Sequence, residues 1–400
     1  MARKTTTRNA AGTGSIRKKT VLRNGKEYTF WEGRYTEGYD PGTGKQIQRS
    51  VTGKTQREVS QKLKAITHEL DTGAYIAPSK LTVGEWLDIW AQDYLGGVKP
   101  YTVAAYEKQI RVHIKPALGN IKLQELNPHT IQRFYNNLGK PTAERPALSP
   151  KTVKSIHGVL HKAMKQAVSV GYIRVNPADN CALPRMQRKA VQPLDEEQTK
   201  RFLQAIQGHR FERLYTFTLF TGLREGEVLG LTWEKVNLKD GILLIDQQLQ
   251  VEPHKGGKYL LVPVKTGKGR TIVMAPWVVD ILKAQRTAQL EARLLAGPAW
   301  EDSGLVFTNE LGGHLVDNTV YKNFKKIVAS IGMPDVRFHD LRHSYAVAAI
   351  RAGDDIKTVQ GNLGHATAAF TLDVYGHVTE QMKQASASRM ESYIKQVLDL

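Results

Sequence analysis

The spacing of the apolar residues changes near residue 55, and that change limits what this chain can fold into. Before it, apolar positions fall in three short runs, Ile16–Leu22, Tyr28–Tyr35 and Lys45–Val51. Arg23-Asn24-Gly25-Lys26 and Asp40-Pro41-Gly42-Thr43-Gly44 separate the runs, and both are turn signals. After it, Val59, Leu63, Ile66 and Leu70 recur at helical spacing. Residues 16–70 therefore predict a small three-stranded sheet plus one helix. Residues 71–80 (DTGAYIAPSK) read as a linker. Residues 81–180 then read as all helix. Thr82 caps a helix with Trp86, Ile89 and Trp90 turned inward. Thr102 opens a second helix, ended by Pro116 and Gly119, and Pro128–Leu138 is a third. Ser149-Pro150 opens a fourth, with Val153, Ile156, Leu160, Ala163 and Ala167 on one side.

Charge narrows the partners. The 400 residues carry a net charge of +19, and residues 1–70 hold 15 Lys and Arg against 6 Asp and Glu. Such an excess favours a polyanion, nucleic acid before an anionic membrane surface. Residues 1–15 are basic and aperiodic, a disordered tail by composition. Lys18, Lys19 and Arg34 in the predicted sheet are candidate DNA contacts. So are Lys151, Lys154, Lys162 and Lys165, which form a stripe on the fourth helix. A charge stripe is either a solvated face or a phosphate-facing one, and the overall charge favours the second. The single cysteine, Cys181, excludes an intramolecular disulfide and a cysteine-based zinc finger. No apolar run approaches a membrane span, and the basic N-terminus lacks the apolar stretch of a secretory signal. The expectation is a cytoplasmic protein, nucleoid-associated when on DNA.

Residues 181–193 read as a second, basic linker, and 194–400 as a third domain. Asp195 and Gln198 stand at capping-box spacing at its start. Helices over 195–207 and 211–221 lead into strand-like segments 241–251, 258–264 and 270–275, and helices return from 276. Five short segments of this domain carry chemistry. In Thr221-Gly222-Leu223-Arg224-Glu225-Gly226-Glu227, Gly222 can break one helix and Glu225 starts the next, so Arg224 sits at a helix start, where backbone N–H groups also point at anions. Glu227 lies three residues on and can orient the guanidinium, unless the two form an ordinary surface pair. Val264-Lys265-Thr266-Gly267-Lys268-Gly269-Arg270-Thr271-Ile272 reads as a β-hairpin with a basic tip. His339 and Arg342 share a helix face in Phe338-His339-Asp340-Leu341-Arg342-His343. Asn362-Leu363-Gly364-His365 and Val374-Tyr375-Gly376-His377 read as helix ends or turns.

Taken together, these residue types suit one chemistry. Two arginines can hold both non-bridging oxygens of a phosphodiester and stabilise a pentacoordinate transition state. A tyrosine can attack phosphorus, a lysine can protonate the departing 5′ oxygen, and histidines can bind the phosphate or move a proton. No carboxylate cluster of metal-ligand type accompanies them, so no metal or other cofactor is expected.

The order Arg224, Lys265, His339, Arg342, His365, Tyr375 resembles the catalytic set of the tyrosine recombinases, or phage-type integrases. The flanking residues match as well. The whole layout resembles the heterobivalent integrases of temperate phages and integrative conjugative elements. The resemblance implies a multidomain α+β fold: a small three-stranded sheet plus helix that binds arm-type sites, an all-helical core-binding domain, and a mostly helical catalytic domain with a small antiparallel sheet. It implies cleavage and rejoining of double-stranded DNA through a 3′-phosphotyrosine, a homotetramer on DNA, and a Holliday-junction intermediate. Glu227 would support the arginines. An excision factor and a host DNA-bending protein would be partners, and no membrane would be involved. The C-terminal tail, with Met382, Met390, Tyr393, Ile394 and Val397, would pack either within the chain or on a neighbouring protomer. Two other readings remain, a type IB topoisomerase-like activity and a non-catalytic architectural DNA-binding protein.

Overall fold

The computed structural model describes residues 15–143, 145–186, 193–252, 258–265, 267–364 and 379–398. The expected tail, except for Ser15, lies outside them, as do 187–192 of the basic linker. The chain divides into two compact units between Met186 and Gln187.

The first unit opens with the expected sheet. Strands β1 (Ser15–Arg23), β2 (Lys26–Tyr39) and β3 (Gln46–Gly53) pair antiparallel in that order. Asn24 and Gly25 turn between the first two with positive φ, as a two-residue hairpin requires. Helix α1 (Gln56–Asp71) is capped by the Thr55 side chain and lays Val59 and Leu63 over Gly33 of β2. A Cβ on Gly33 would come within 2.6 Å of Val59, so only glycine lets the helix sit this close.

The segment after α1 is fastened rather than loose. Tyr75 and Tyr35 share a hydroxyl–hydroxyl bond of 2.8 Å, and Gln124 binds the carbonyl of Ala77 and the amide of Ser79. An Arg174–Glu69 ion pair at 2.5 Å joins the end of α1 to the helices beyond.

Those helices are α2 (Val83–Asp93), α3 (Pro100–Gln109), α4 (Lys115–Leu118), α5 (Pro128–Leu138) and α6 (Pro150–Ser169). Thr82 and Glu85 form a full capping box on α2, and Ser149 caps α6 through the Thr152 amide, each worth about 1 kcal/mol. Trp86, Trp90, Ile156, Leu160, Ala163 and Ala167 are buried together, and the Trp86 indole donates to the carbonyl of Ala163 at 2.9 Å. The expected second helix differs at its start and in its interior. It starts at Pro100 with Thr102 inside, and Pro116 lies within the helical run, which ends at Leu118 before Gly119 as expected. A π-helical stretch, Ile110–Ile114, precedes Pro116, and the widened turn accommodates a residue that lacks an N–H and crowds the preceding turn.

The second unit begins with α7 (Glu196–Ala205), capped by the expected Asp195–Gln198 box, then α8 (Glu212–Thr221) and α9 (Glu225–Leu229). Its core stacks Phe202, Tyr215, Phe324 and Phe338 edge to face. The expected strand over 241–251 breaks at Asp246 into β5 (Ile242–Ile245) and β6 (Gln247–Val251). The hairpin expected over 264–272 is therefore absent. Strand β7 (Tyr259–Pro263) pairs with β6, while β8 (Arg270–Val273) pairs with β5 and, through it, β4 (Val236–Asn237). The break at Asp246 sends the two halves of one run into two sheets, and its carbonyl accepts from the Val264 amide at 3.1 Å. Lys265 thus lies on a connection between sheets. Helices α10 (Pro276–Ala296), α11 (Asp317–Ser330), α12 (Phe338–Arg351), α13 (Ile356–Leu363) and α14 (Thr379–Leu398) follow. Met390, Tyr393, Ile394 and Val397 of α14 are exposed. No helix among the described residues is long and apolar enough to cross a membrane.

Candidate active site

Gly222 ends α8 in the left-handed conformation, φ 65°, and packs against Tyr345 of α12, so that a Cβ there would meet the ring at 2.5 Å. The sharp turn puts Arg224 at the N-cap of α9. One helical turn on, Glu227 points back under it. Its side chain is 1% exposed and binds Arg224 twice, through Nη1 at 2.7 Å and the backbone amide at 3.0 Å. This is no surface pair. A third group, not singled out from the sequence, completes it. Arg270 of β8, 11% exposed, donates both terminal nitrogens to the same carboxylate at 3.0 and 2.7 Å. Burial would raise the Glu227 pKa. The hydrogen bonds and charge of Arg270, then those of Arg224, overcome it and hold the carboxyl down at about 2.

The second arginine comes from α12. Arg342 is almost wholly buried, donating to the carbonyl of Gly222 at 2.8 Å and to that of Leu363. The α13 terminus, closed by Gly364 in the left-handed conformation, therefore serves three cations. Arg270 Nε binds the carbonyl of Asn362 at 2.7 Å, Arg342 that of Leu363, and Arg224 Nη2 that of Gly364 at 3.3 Å. Carbonyls at a helix C-terminus carry partial negative charge, which suits them to guanidinium groups.

His339 sits one turn before Arg342 with its ring edge-on to His343 at 4.9 Å. Enclosure of the ring, then the charges of Arg342 and Arg224, keep its pKa below the ordinary histidine value. The shift favours the neutral imidazole, the form that can accept a proton. Glu225 is shifted the other way. Burial, with Asp317 nearby, pushes its carboxyl up to about 7. Lys265 is exposed at the turn leaving β7, five residues before Arg270. His365 and Tyr375 lie outside the described residues, as does Thr266.

The expected DNA-contact residues divide. On the sheet face turned away from α1, Glu32 is buried beneath Arg17 at 2.6 Å, Lys19 at 3.1 Å and Arg34 at 3.5 Å. Lys18 pairs with Trp31 and belongs to the opposite face, because successive strand residues alternate. Arg17, not singled out from the sequence, lies with Lys19 and Arg34 on the Glu32 face. On α6 the four lysines form the expected stripe, with Lys151, Lys162 and Lys165 exposed and Lys154 half-buried. Lys162 donates to the Tyr106 hydroxyl at 2.6 Å and lies over its ring.

Two arginines held at one helix terminus, a carboxylate that orients one of them and a histidine of lowered pKa, within a strongly basic chain, suit chemistry on a phosphodiester backbone. The model of the phage integrase family matches residues 192–382, and that of its N-terminal SAM-like domain matches 82–139. A tyrosine recombinase XerC-like protein of Caldanaerobacter subterraneus is 30% identical, over 92% of this chain and 96% of its own. The ICEBs1 integrase of Bacillus subtilis is 24% identical over 89% and 95%. The solved Tn1549 transposon integrase, in complex with circular intermediate DNA, shares the fold with a TM-score of 0.65 at 22% identity, covering 77% of this chain and 99% of that one. The chain belongs to the phage integrase family of tyrosine recombinases. It is a site-specific DNA recombinase, an enzyme that cuts and rejoins DNA.

Proposed function

We propose that this recombinase integrates and excises a mobile element through a 3′-phosphotyrosine formed by Tyr375. The observation that carries the reading is that Arg224, oriented by Glu227, and Arg342 both bind carbonyls at the end of α13. Arg224 and Arg342 clamp the scissile phosphate. His339 takes the proton of the Tyr375 hydroxyl as its oxygen bonds to phosphorus. The bond to the 5′ oxygen breaks, and Lys265 supplies that oxygen with a proton. His365 hydrogen-bonds the phosphate. A partner strand's 5′ hydroxyl then reverses the sequence, releasing Tyr375. The phosphotyrosine conserves the energy of the broken bond, so the reaction as written consumes no ATP, and the arginines carry the charge stabilisation that a metal ion supplies in other phosphoryl transfers.

Exchanging two duplexes requires four strand cuts, one tyrosine for each, hence four protomers and a Holliday junction between the two rounds. The sheet face bearing Arg17, Lys19 and Arg34 meets arm-type DNA, and the α6 stripe lies along core-site phosphates. Residues 16–70, 81–180 and 194–400 then act as arm-binding, core-binding and catalytic domains. An excision factor and a host DNA-bending protein would set direction.

Covalent capture tests the reading. The chain and Tyr375→Phe are expressed beside the source element, cells are lysed in SDS, and protein-linked DNA is sequenced. Adducts at defined ends that depend on Tyr375 are expected. Scattered adducts would favour the topoisomerase-like alternative. Absence of adducts in cells where excision occurs, with a control recombinase captured, would refute phosphotyrosine catalysis.

A further inference from the structure

We infer that Arg270 is a positioning residue for strand cleavage, binding Glu227 and the end of α13 so that Arg224, Arg342 and the segment entering His365 are held as one unit. The inference rests on the phosphotyrosine reading above. It starts from geometry. The Arg270 guanidinium uses all three nitrogens: two on the Glu227 carboxylate and Nε on the carbonyl of Asn362. Its side chain also packs on Gly364, where a Cβ would stand 3.0 Å from Cδ. Arg224 and Arg342 bind the next two carbonyls of the same terminus. One side chain from β8 therefore joins α9, which carries the first arginine, to the turn that leads into His365.

The charges around Glu227 sharpen the point. Its own turn contributes Arg224 and β8 contributes Arg270. Strand β6, packed on α9, carries no charged side chain, and α8 approaches with uncharged Thr218–Thr221. Asp317 of α11 acts on Glu225, while Arg342 and His339 come from α12. Arg270 thus supplies one of two direct cationic partners and the larger share of what keeps Glu227 ionised. Without it, burial would prevail and Glu227 would take up a proton at a higher pH. A protonated Glu227 is a weaker acceptor for Arg224, and loss of the Asn362 bond frees the α13 terminus. Lysine in place of Arg270 keeps the charge but cannot span carboxylate and carbonyl together.

The test uses the full chain and a nicked duplex bearing the junction sequence recovered by covalent capture. Adduct formation is timed from about pH 5 to pH 9 for wild type, Arg270→Met, Arg270→Lys and Glu227→Gln, with and without Arg270→Met. Arg270→Met should slow adduct formation about 100-fold, the scale of a misplaced catalytic group. Its loss of rate on the acid side should also begin at a higher pH than in wild type, where protonation of His339 sets the acid limb. Arg270→Lys should restore the wild-type profile with only part of the rate. Added to Glu227→Gln, Arg270→Met should cost several-fold less than it does alone. A uniformly reduced rate with an unchanged pH profile, or full additivity with Glu227→Gln, would overturn the positioning role.

Unfolding of the same four variants across acid pH gives a second reading that does not depend on activity. In wild type the Glu227 contribution should be lost progressively as pH falls from the ordinary carboxylate range to about 2, whereas in Arg270→Met that acid loss should shrink or change sign. Equal profiles would refute the link even if no adduct formed in any variant. Absence of adducts in wild type would refute the phosphotyrosine reading instead.

Discussion

Each unit of the molecule buries a glutamate under basic residues, and the two clusters differ in what they leave open. On the N-terminal sheet, Glu32 gathers Arg17, Lys19 and Arg34, and all three side chains remain 39–50% exposed. In the second unit, Glu227 gathers Arg224 and Arg270, which are 29% and 11% exposed and each donate one further bond to a carbonyl at the end of α13. Exposed cations can turn towards a phosphate, and their attraction is screened by salt. Enclosed ones are already placed, so they act through geometry at a reacting group. The same pair of residue types is thus an adaptable DNA surface in one unit and a preorganised centre in the other, and burial decides which.

Removing each glutamate separates the two most sharply. Glu227→Ala would leave two enclosed guanidinium groups facing each other without a counter-charge. A loss of about 3–5 kcal/mol is expected by urea unfolding, with covalent adducts abolished. Glu32→Ala should move the urea midpoint far less, and equal losses would end the distinction.

The turn that places Arg224 comes next. Gly222→Ala forces a left-handed residue into the Tyr345 ring, at a cost of roughly 1–3 kcal/mol, read as a lowered midpoint. A neutral outcome would mean the turn is not tightly held.

Glu225 tests burial in the opposite sense from Glu227. Its folded pKa, about 7, exceeds that of an unfolded glutamate, so the folded state binds more protons. Stability should therefore fall as pH rises from the ordinary carboxylate range through about 7. Glu225→Gln should remove that slope and gain about 1–3 kcal/mol near pH 8, with little gain at pH 4. A parallel pair of profiles would show that Glu225 is not shifted.

The smallest effects belong to the exposed sets. Arg17→Ala and Lys165→Ala should each lower the slope of log binding constant against log salt by about 1, and unfolding should stay within about 0.5 kcal/mol. Unchanged slopes would remove these residues from the DNA surface.

Much of this was legible along the chain. The three strands, the helix over them and the caps at Thr82, Ser149 and Asp195 follow from local turn and capping chemistry, which acts within a few residues. The inward set of α6 follows from a helical period. Motifs at Gly222–Glu227 and Asn362–Gly364 marked helix breaks where the structure has them. The hairpin around Lys265 misled, because strand-like segments on either side of a glycine turn look alike whether they pair with each other or with different partners. Asp246 breaks the run, and nothing in its neighbourhood announces that. Lys18 and Lys19 are neighbours in sequence, but strand alternation puts them on opposite faces of the sheet. Arg270 carried a readable signal that was missed: it stands two residues before buried Ile272, on the inward face of a strand, where an arginine needs an acceptor.

The sequence by itself determined the modules, their polyanion-seeking charge and the residue types available for phosphoryl transfer, since each of these depends on composition or on neighbours close in the chain. Tertiary structure alone decided that Glu227 is a buried hub, that Arg270 belongs to it, and that three consecutive carbonyls of α13 receive three arginines. Those facts join residues 21 to 140 positions apart. They depend on burial, which strengthens a charge pair and penalises an unpaired one, and no local pattern records which groups will share the interior.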